Sequence, residues 1–206
     1  MKTFLIFVLL SLSACSSVNY DYPREESSFI PAVNESALDQ RILRIVDDKP
    51  EGVSGFFALV DGVDAIAARL RIAEQAQRSI DVQYYLLKRD EVGQSFLYSL
   101  LLAADRGVRI RLLLDDMFNQ GFDKDMMALD SHPFIEIRIF NPFNRGVLGG
   151  KVGAALNFSL INRRMHNKSF TVDNRLTVIG GRNIADEYFG AGTQSAFNDL
   201  DVLGIG

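Results

Sequence analysis

The residues best suited to chemistry lie in one stretch, 163–173, which reads Arg-Arg-Met-His-Asn-Lys-Ser-Phe-Thr-Val-Asp. Phe, Thr and Val favour strands, so Ser169–Val172 is predicted to be a strand, in which side chains alternate between two faces. His166 and Lys168 are therefore predicted to point to the same side. An imidazole beside an ammonium group suits an anionic phosphate ester. The imidazole can attack phosphorus or shuttle a proton, and the ammonium group can hold a non-bridging oxygen.

Asp173 has the opposite parity along the same strand. Its carboxylate is therefore predicted to leave the face of His166 and Lys168 and to sit where Asp173-Asn174 opens a turn. On parity alone, we interpret Asp173 as a structural brace.

A second apolar run, 176–179, leads into Gly180-Gly181. The missing side chains of these glycines let the backbone come close to a ligand or to another strand. Asn183 follows at the predicted start of a helix. Its amide would either contact phosphate or cap that helix, and the spacing favours capping.

The combined pattern is far more specific than any residue in it. His-x-Lys-x4-Asp followed by Gly-Gly-x-Asn closely resembles the signature of the phospholipase D superfamily, and Arg-Arg-Met-His-Asn-Lys resembles its bacterial cardiolipin synthase branch. The resemblance extends to stretches 80–85, 103–108, 114–116, 140–142 and 199–202. It implies reaction through a phosphohistidine intermediate, without a metal or other cofactor, in a site built from two such motifs.

Residue by residue, the resemblance implies that His166, Lys168 and Asp173 are the catalytic positions of the signature. It also implies that Gly181 and Asn183 contact the substrate phosphate. The chain carries one copy of this signature. The second copy is expected from a missing C-terminal half or from a homodimer partner.

A catalytic imidazole must be fixed in tautomer and direction, usually by an acceptor on its other ring nitrogen. Because strand parity excludes Asp173, the acceptor for His166 is expected from another strand. The best candidate is Asp199, if the strand that follows it runs back beside the signature, and Asp201 is the reserve choice. Single-motif relatives of the family likewise place a carboxylate shortly after the signature.

Length and composition set the outer bounds. The chain has 206 residues, of which 48% are hydrophobic, so one domain with one substantial core is expected. Its formal net charge is −4. An acidic chain without a basic run argues against a nucleic-acid groove, which normally offers clustered Lys and Arg to phosphates.

The N-terminus has the pattern of an export signal. One Lys precedes the apolar run 4–10, which is too short to span a membrane, and the single cysteine, Cys15, follows Leu12-Ser13-Ala14. The stretch resembles a bacterial lipoprotein signal, which implies cleavage before Cys15, lipidation of that residue and, because Ser16 follows it, the outer membrane. The expected division is a signal peptide (1–14), a tether (15–33) and a phospholipase D-like domain (34–206).

Helical and strand patterns alternate through most of the chain. They predict an α/β layered domain with a central mixed, largely parallel sheet flanked by helices. The run 56–60 is predicted to be either a strand or a hydrophobic arm. Predicted helices begin at 36 and 62 and cover 94–105 and 126–129, and further predicted strands cover 80–87, 108–114 and 134–140.

Several polar residues at strand ends have two interpretations. Asp115 and Asp116 end a strand, where α/β sheets place ligands, but capping of the next turn is the favoured role. Asp81 and Gln83 share a face and are predicted to satisfy buried polar groups near the site. His132 is predicted to be a loop histidine rather than a second catalytic one.

The pattern favours phosphatidyl transfer on phospholipids, with phosphatidylglycerol or phosphatidylethanolamine as substrates. A lipid acceptor would give cardiolipin, and water as acceptor would make the same site a phospholipase D. The glycine-rich stretch 145–156 could dip into acyl chains or form an ordinary surface loop. The alternatives are a truncated, catalytically incomplete membrane-tethered fragment, or a nuclease-like phosphodiesterase active only as a dimer.

Overall fold

The computed structural model describes residues 26–50, 52–119, 122–143, 163–191 and 197–206. These residues form five helices and seven strands. The helices are α1 (Ala37–Val46), α2 (Gly62–Gln75), α3 (Glu91–Asp105), α4 (Asp123–Asp130) and α5 (Asp186–Phe189). The strands are β1 (Gly55–Leu59), β2 (Ser79–Tyr84), β3 (Arg109–Asp115), β4 (Ile135–Phe140), β5 (Ser169–Val172), β6 (Leu176–Gly180) and β7 (Asp201–Ile205).

Short-range chemistry fixes where the helices begin. The Ser36 hydroxyl accepts the Asp39 N–H while the Asp39 carboxylate accepts the Ser36 N–H, a capping box that starts α1. Asp61 and Asp90 likewise accept backbone N–H groups in the first turns of α2 and α3. The predicted helices and strands are all present, and residues 56–59 of the apolar run 56–60 lie in strand β1 rather than in a free arm.

The seven strands form one mixed sheet in the order β1-β7-β6-β5-β2-β3-β4. Pairing is parallel between β2 and β3 and between β3 and β4, and antiparallel at the other four pairings. In direction, β1, β2, β3, β4 and β6 run one way, and β5 and β7 run the other. The predicted α/β layered domain with a mixed sheet is confirmed. The prediction that the sheet is largely parallel is wrong, because four of its six pairings are antiparallel.

The core lies between one face of the sheet and helices α2 and α3. Side chains alternate along β2, so Ile80, Val82 and Tyr84 are buried there while the intervening residues are half-exposed on the other face. Phe96 of α3 packs edge-on against Tyr84 at 5.7 Å and against Phe170 of β5 at 5.5 Å between ring centroids. The central strands are thereby held in register beneath the helices.

An N-terminal strap, residues 26–34, lies against the rest of the domain. Arginine side chains along its path donate hydrogen bonds to four of its backbone carbonyl groups. These bonds run from Arg175 to Val33 O (3.3 Å), Arg78 to Pro31 O (2.5 Å), Arg109 to Ser28 O (2.7 Å) and Arg111 to Ser27 O (3.2 Å). The predicted tether, 15–33, is thus wrong for residues 26–33, which belong to the folded domain. Residues 15–25 and the glycine-rich stretch 145–156 lie outside the described residues.

Candidate active site

His166 and Lys168 lie at the edge of the sheet where β2, β3 and β6 end, directly before β5. The His166 ring stacks on the Tyr85 ring, with centroids 4.1 Å apart and planes inclined by 21°. Its Nδ1 lies 3.4 Å from the carbonyl oxygen of Arg164. Because a carbonyl oxygen can only accept, this contact favours the tautomer that carries its proton on Nδ1. Nε2 is then the ring nitrogen with a free electron pair.

Lys168 shares the same aromatic neighbour. Its Nζ donates to the His166 carbonyl oxygen at 3.0 Å and lies 5.7 Å from the centroid of the Tyr85 ring. Burial lowers the pKa of Lys168 below its ordinary value, and the nearby Asp199 carboxylate opposes that shift. A partly desolvated ammonium group interacts more strongly with an anionic oxygen than a fully hydrated one does.

Asp115 holds the backbone that leads into His166. Its carboxylate accepts the Met165 N–H at 2.9 Å and Arg164 Nη1 at 3.2 Å, in addition to the Met117 N–H at 2.8 Å. The Met117 contact is the turn cap that the sequence favoured. The other two contacts tie the end of β3 to the signature, and Arg164 extends the tie to the Asn141 carbonyl oxygen at 3.0 Å.

Asp116 also binds backbone. Its carboxylate accepts the Phe143 N–H at 2.5 Å, and the Arg164 guanidinium lies over the Phe143 ring at 4.0 Å. Both carboxylates at the end of β3 therefore brace the segments that surround the signature.

Sequence reasoning missed Asn119, which supports the segment after β2. Its side-chain oxygen accepts the Leu87 N–H at 3.0 Å, and its amide nitrogen donates to the carbonyl oxygens of Tyr85 (3.2 Å) and Asp115 (2.5 Å). The sequence offers only the position of Asn119 as a sign of this role. Tyr85 and Asn119 follow the ends of β2 and β3, where α/β sheets place their binding and catalytic sites.

Asp173 lies at the far end of β5 from His166. Its carboxylate accepts three backbone N–H groups, those of Gln77 (2.9 Å), Arg78 (2.8 Å) and Ser79 (2.9 Å). The residue is buried and adopts a left-handed φ of 50° in the β5–β6 turn. These contacts are those of the brace that strand parity predicts. The catalytic role implied by the resemblance would act at a distance, by fixing the start of β2 against the end of β5.

The Gly180-Gly181 pair allows another strand to come close. A Cβ atom at Gly180 would collide with Asp201, and one at Gly181 with Asp199. The Gly181 N–H donates to the Leu200 carbonyl oxygen at 3.1 Å. The sequence left open whether these glycines allow close approach of a ligand or of another strand, and the structure shows the approach of the strand. Contact of Gly181 with the substrate phosphate stays a prediction.

Asn183 does not cap a helix. The N-cap of α5 is Ala185, which has no side-chain cap bond. Instead, the Asn183 oxygen accepts the Leu86 N–H at 3.2 Å and its amide nitrogen donates to the Tyr188 hydroxyl at 3.1 Å. The predicted cap is wrong because the helix starts later than expected, and phosphate contact by Asn183 stays a prediction.

Asp199 and Asp201 do not reach the His166 ring in the described part of the chain. Strand β7 pairs with β6, so β6 separates it from β5 and the signature. The expectation of a hydrogen bond from Asp199 to His166 is therefore wrong, because the returning strand does not run beside the signature. Asp199 acts instead on Lys168 through its charge. Asp201 is fully buried and accepts from Arg69 Nη2 at 2.9 Å.

Asp81 and Gln83 share the half-exposed face of β2. Asp81 binds Arg111 through two bonds, of 2.6 and 2.7 Å. The Gln83 side-chain oxygen accepts a hydrogen bond of 2.8 Å from the side-chain nitrogen of Asn167. Asn167 lies between His166 and Lys168 in the sequence. Gln83 thus supports the signature segment, whereas Asp81 pairs with a neighbouring strand.

His132 lies in the loop before β4, at the opposite end of the sheet from His166. Its Nδ1 accepts the Phe134 N–H at 3.2 Å, and its Nε2 is 3.3 Å from an Asp105 carboxylate oxygen. It is a loop histidine, as predicted. Across 26–50, 52–119, 122–143, 163–191 and 197–206, no group of three His, Cys, Asp or Glu side chains is placed to hold a metal ion.

The fold and site define an α/β domain that carries a phospholipase D signature at the carboxyl edge of its sheet. Residues 70–196 match the family described as "Cardiolipin synthase, PLD-like domain". The chain belongs to this family, the cardiolipin synthase-like branch of the phospholipase D superfamily.

The family assignment agrees with a relative of known name. Cardiolipin synthase C of Escherichia coli (strain K12) is 51% identical over 169 residues, which are 82% of this chain and 35% of that protein. The chain therefore spans about a third of the length of that relative.

Two solved structures share the fold at low sequence identity. NucT from Helicobacter pylori has a TM-score of 0.53 at 16% identity and is matched over 74% of this chain and 85% of its own. The phosphatidylserine synthase of Haemophilus influenzae Rd KW20 has a TM-score of 0.55 at 13% identity, over 80% of this chain and 36% of its own.

Proposed function

We propose that this chain supplies one half of a phosphatidyl-transfer site that works through a phosphohistidine intermediate on His166. The observation that carries the proposal is the imidazole at the carboxyl edge of the sheet, with Nδ1 bonded to the Arg164 carbonyl oxygen and Lys168 beside the same aromatic ring. Membership of the cardiolipin synthase family and the identity to Escherichia coli cardiolipin synthase C support the substrate class.

The first step is attack of His166 Nε2 on the phosphorus of a phospholipid. An N–P bond forms, the P–O bond to the departing alcohol breaks, and that alkoxide takes a proton from a general acid. In the second step a new alcohol loses its proton to the same group and its oxygen attacks phosphorus, which restores the free imidazole. Lys168 offsets the negative charge that builds on the non-bridging oxygens in both steps.

The general acid has to come from elsewhere. Within the described residues the other histidine, His132, lies at the far end of the sheet and contacts Asp105. We propose that a second signature supplies the acid, from further sequence of a longer protein or from a second copy of this chain. Either histidine of such a pair can be the nucleophile. The competing function is a domain that binds lipid headgroups without turnover.

The acceptor alcohol decides the product. Phosphatidylglycerol as acceptor gives cardiolipin, and water gives phosphatidic acid. Phosphatidylglycerol and phosphatidylethanolamine are the proposed donors. A nucleic-acid substrate is less favoured because the chain is acidic, with a formal net charge of −4, and lacks a basic run.

Trapping of the intermediate tests the proposal. A protein that joins this chain to a second signature would be mixed with short-chain phosphatidylglycerol and quenched in alkali, since phosphohistidine is labile in acid. We expect mass spectrometry to find the phosphatidyl adduct on the peptide that contains His166 or on its counterpart in the second signature. The His132→Asn variant serves as the control and should label equally. Full turnover without an adduct on either signature histidine would contradict the mechanism.

We further propose that the exported chain is cleaved before Cys15 and anchored through lipid on that residue, ahead of the phospholipase D-like domain to which residues 26–33 also belong. The support is the apolar run 4–10 followed by Leu-Ser-Ala-Cys, and Ser16 favours the outer membrane and a periplasmic domain. In the parts of the chain that the structure describes, no helix has the length and apolar character needed to cross a bilayer.

Replacement of Cys15 tests this anchor. We expect Cys15→Ser to move the exported protein from the membrane fraction to the soluble fraction, because no acyl chain can then be attached. Ser16→Ala keeps the thiol and serves as the matched control. If Cys15→Ser stays quantitatively with the membranes, as judged by fractionation and immunoblotting, the lipid-anchor assignment is wrong.

A further inference from the structure

The Tyr85 ring lies beside both His166 and Lys168. The His166 ring lies parallel to it at 4.1 Å, and Lys168 Nζ lies 5.7 Å from its centroid. Phe118 packs edge-on against the same ring at 5.3 Å. Tyr85 itself occupies none of the positions that the signature defines.

Hydrogen bonds fix the segment that carries Tyr85, so its ring can orient the side chains packed against it. Tyr85 directly follows β2, and its carbonyl oxygen accepts from the Asn119 side chain at 3.2 Å. Asn119 also holds the Leu87 N–H at 3.0 Å, so both sides of this short segment are fixed. Burial raises the pKa of the Tyr85 hydroxyl, and the Asp115 carboxylate adds to that effect. The ring therefore stays neutral and keeps the electron-rich face that attracts cations.

His166 needs such a surface because its other restraint is weak. The imidazole is exposed, and its ring nitrogen contact in the described part of the chain is the 3.4 Å approach to the Arg164 carbonyl oxygen. A contact of that length leaves the ring free to turn about its side-chain bonds. Stacking on Tyr85 fixes the plane of the ring, and the carbonyl oxygen then fixes its edge.

We propose that Tyr85 is a positioning residue that holds the His166 imidazole in its Nδ1–H tautomer with Nε2 free, and holds Lys168 beside it. The catalytic consequence of this inference rests on the proposed function, whereas the arrangement of Tyr85, His166 and Lys168 does not. The electron-rich face of Tyr85 also favours the ammonium group and an imidazole that gains positive charge as it attacks. A displacement of about 1 Å at such a nucleophile can cost about 100-fold in rate.

The experiment reads the His166 ring directly in the 206-residue chain. The chain has two histidines, so nitrogen-15 NMR of the imidazoles gives two sets of signals, with His132 as an internal reference. Spectra are recorded near pH 8, where an ordinary histidine, with a pKa of about 6.5, is neutral. Tyr85→Leu removes the aromatic surface, Tyr85→Phe keeps it, and Tyr98→Leu changes an exposed tyrosine on α3 as the matched control.

In the unaltered chain and in Tyr85→Phe and Tyr98→Leu we expect a predominant Nδ1–H tautomer for His166 and an upfield ring-current shift of its carbon-bound protons. In Tyr85→Leu we expect loss of that shift and a change to the mixed tautomers of a free imidazole. Unchanged His132 signals would show that the fold is intact. His166 signals that are the same in Tyr85→Leu as in Tyr85→Phe would overturn the proposal. Because no turnover is measured, failure of this inference is distinct from failure of the proposed function.

Discussion

Replacing His166 by alanine is expected to lower phosphatidyl transfer by about 10⁴-fold or more, as loss of the nucleophile does in other covalent enzymes. The measurement is steady-state release of the alcohol from short-chain phosphatidylglycerol, in a protein that carries both signatures. His132→Ala is the matched control and should leave the rate unchanged, because His132 lies at the other end of the sheet. Near-normal rates in His166→Ala would reject its assigned role.

The same assay separates Lys168 from His166. Lys168→Ala should cost on the order of 3 kcal/mol of transition-state stabilisation, by analogy with a lost oxyanion donor, or about 100-fold in kcat. Since burial lowers the pKa of Lys168, the alkaline limb of the pH–rate profile should fall below the ordinary lysine value. Lys168→Arg should move that limb to higher pH, because a guanidinium stays protonated. An alkaline limb that does not move would show that Lys168 is not the group titrated.

The signature strand could be predicted from sequence because its cues are local. Ser169–Val172 is the strand that its residue types predicted, and Asp173, in the turn that follows it, braces the backbone of residues 77–79 and not His166. The turn at Asp173-Asn174 adopts left-handed φ values of 50° and 55°, which Asp and Asn tolerate better than other side chains. The alternation of side chains along a strand and the preferences of turn residues both depend on a few neighbouring residues. Both can therefore be predicted from the sequence alone.

The errors concern contacts between distant parts of the chain. Asp199 was expected beside His166 because the sequence does not say which strand the returning strand joins, and β7 pairs with β6. The N-terminal strap has the composition of a tether. Its partners are four arginines from three other places in the chain, so only the folded sheet reveals the docking site. Neither contact has a local cue.

Asp201 carries the prediction with the largest expected effect on stability. It accepts from Arg69 Nη2 at 2.9 Å and from the Arg182 N–H at 3.2 Å, and all three side chains are buried. Burial alone would lower the pKa of Arg69, but Tyr84 and Asp201 outweigh it and hold that pKa above its ordinary value. Arg182 Nη1 also lies 3.6 Å from an Asp201 carboxylate oxygen, so the single carboxylate offsets two buried guanidinium groups. Arg182 in turn donates to the Leu59 carbonyl oxygen at 3.0 Å, which joins β1 to the network.

Asp201→Asn is expected to lower the free energy of unfolding by about 3 to 5 kcal/mol, because it leaves buried positive charge uncompensated and turns an amide donor toward guanidinium donors. Urea denaturation followed by circular dichroism measures the change. Asp48→Asn is the matched control: its pair with Lys49 is solvent-exposed, with 75% of the Asp48 side chain accessible, so its loss should cost less than about 1 kcal/mol. Arg69→Met combined with Asp201→Asn should cost less than the sum of the two single changes, since the partners share one interaction. If Asp201→Asn instead left stability intact and abolished turnover, Asp201 would be orienting a catalytic group rather than holding the fold.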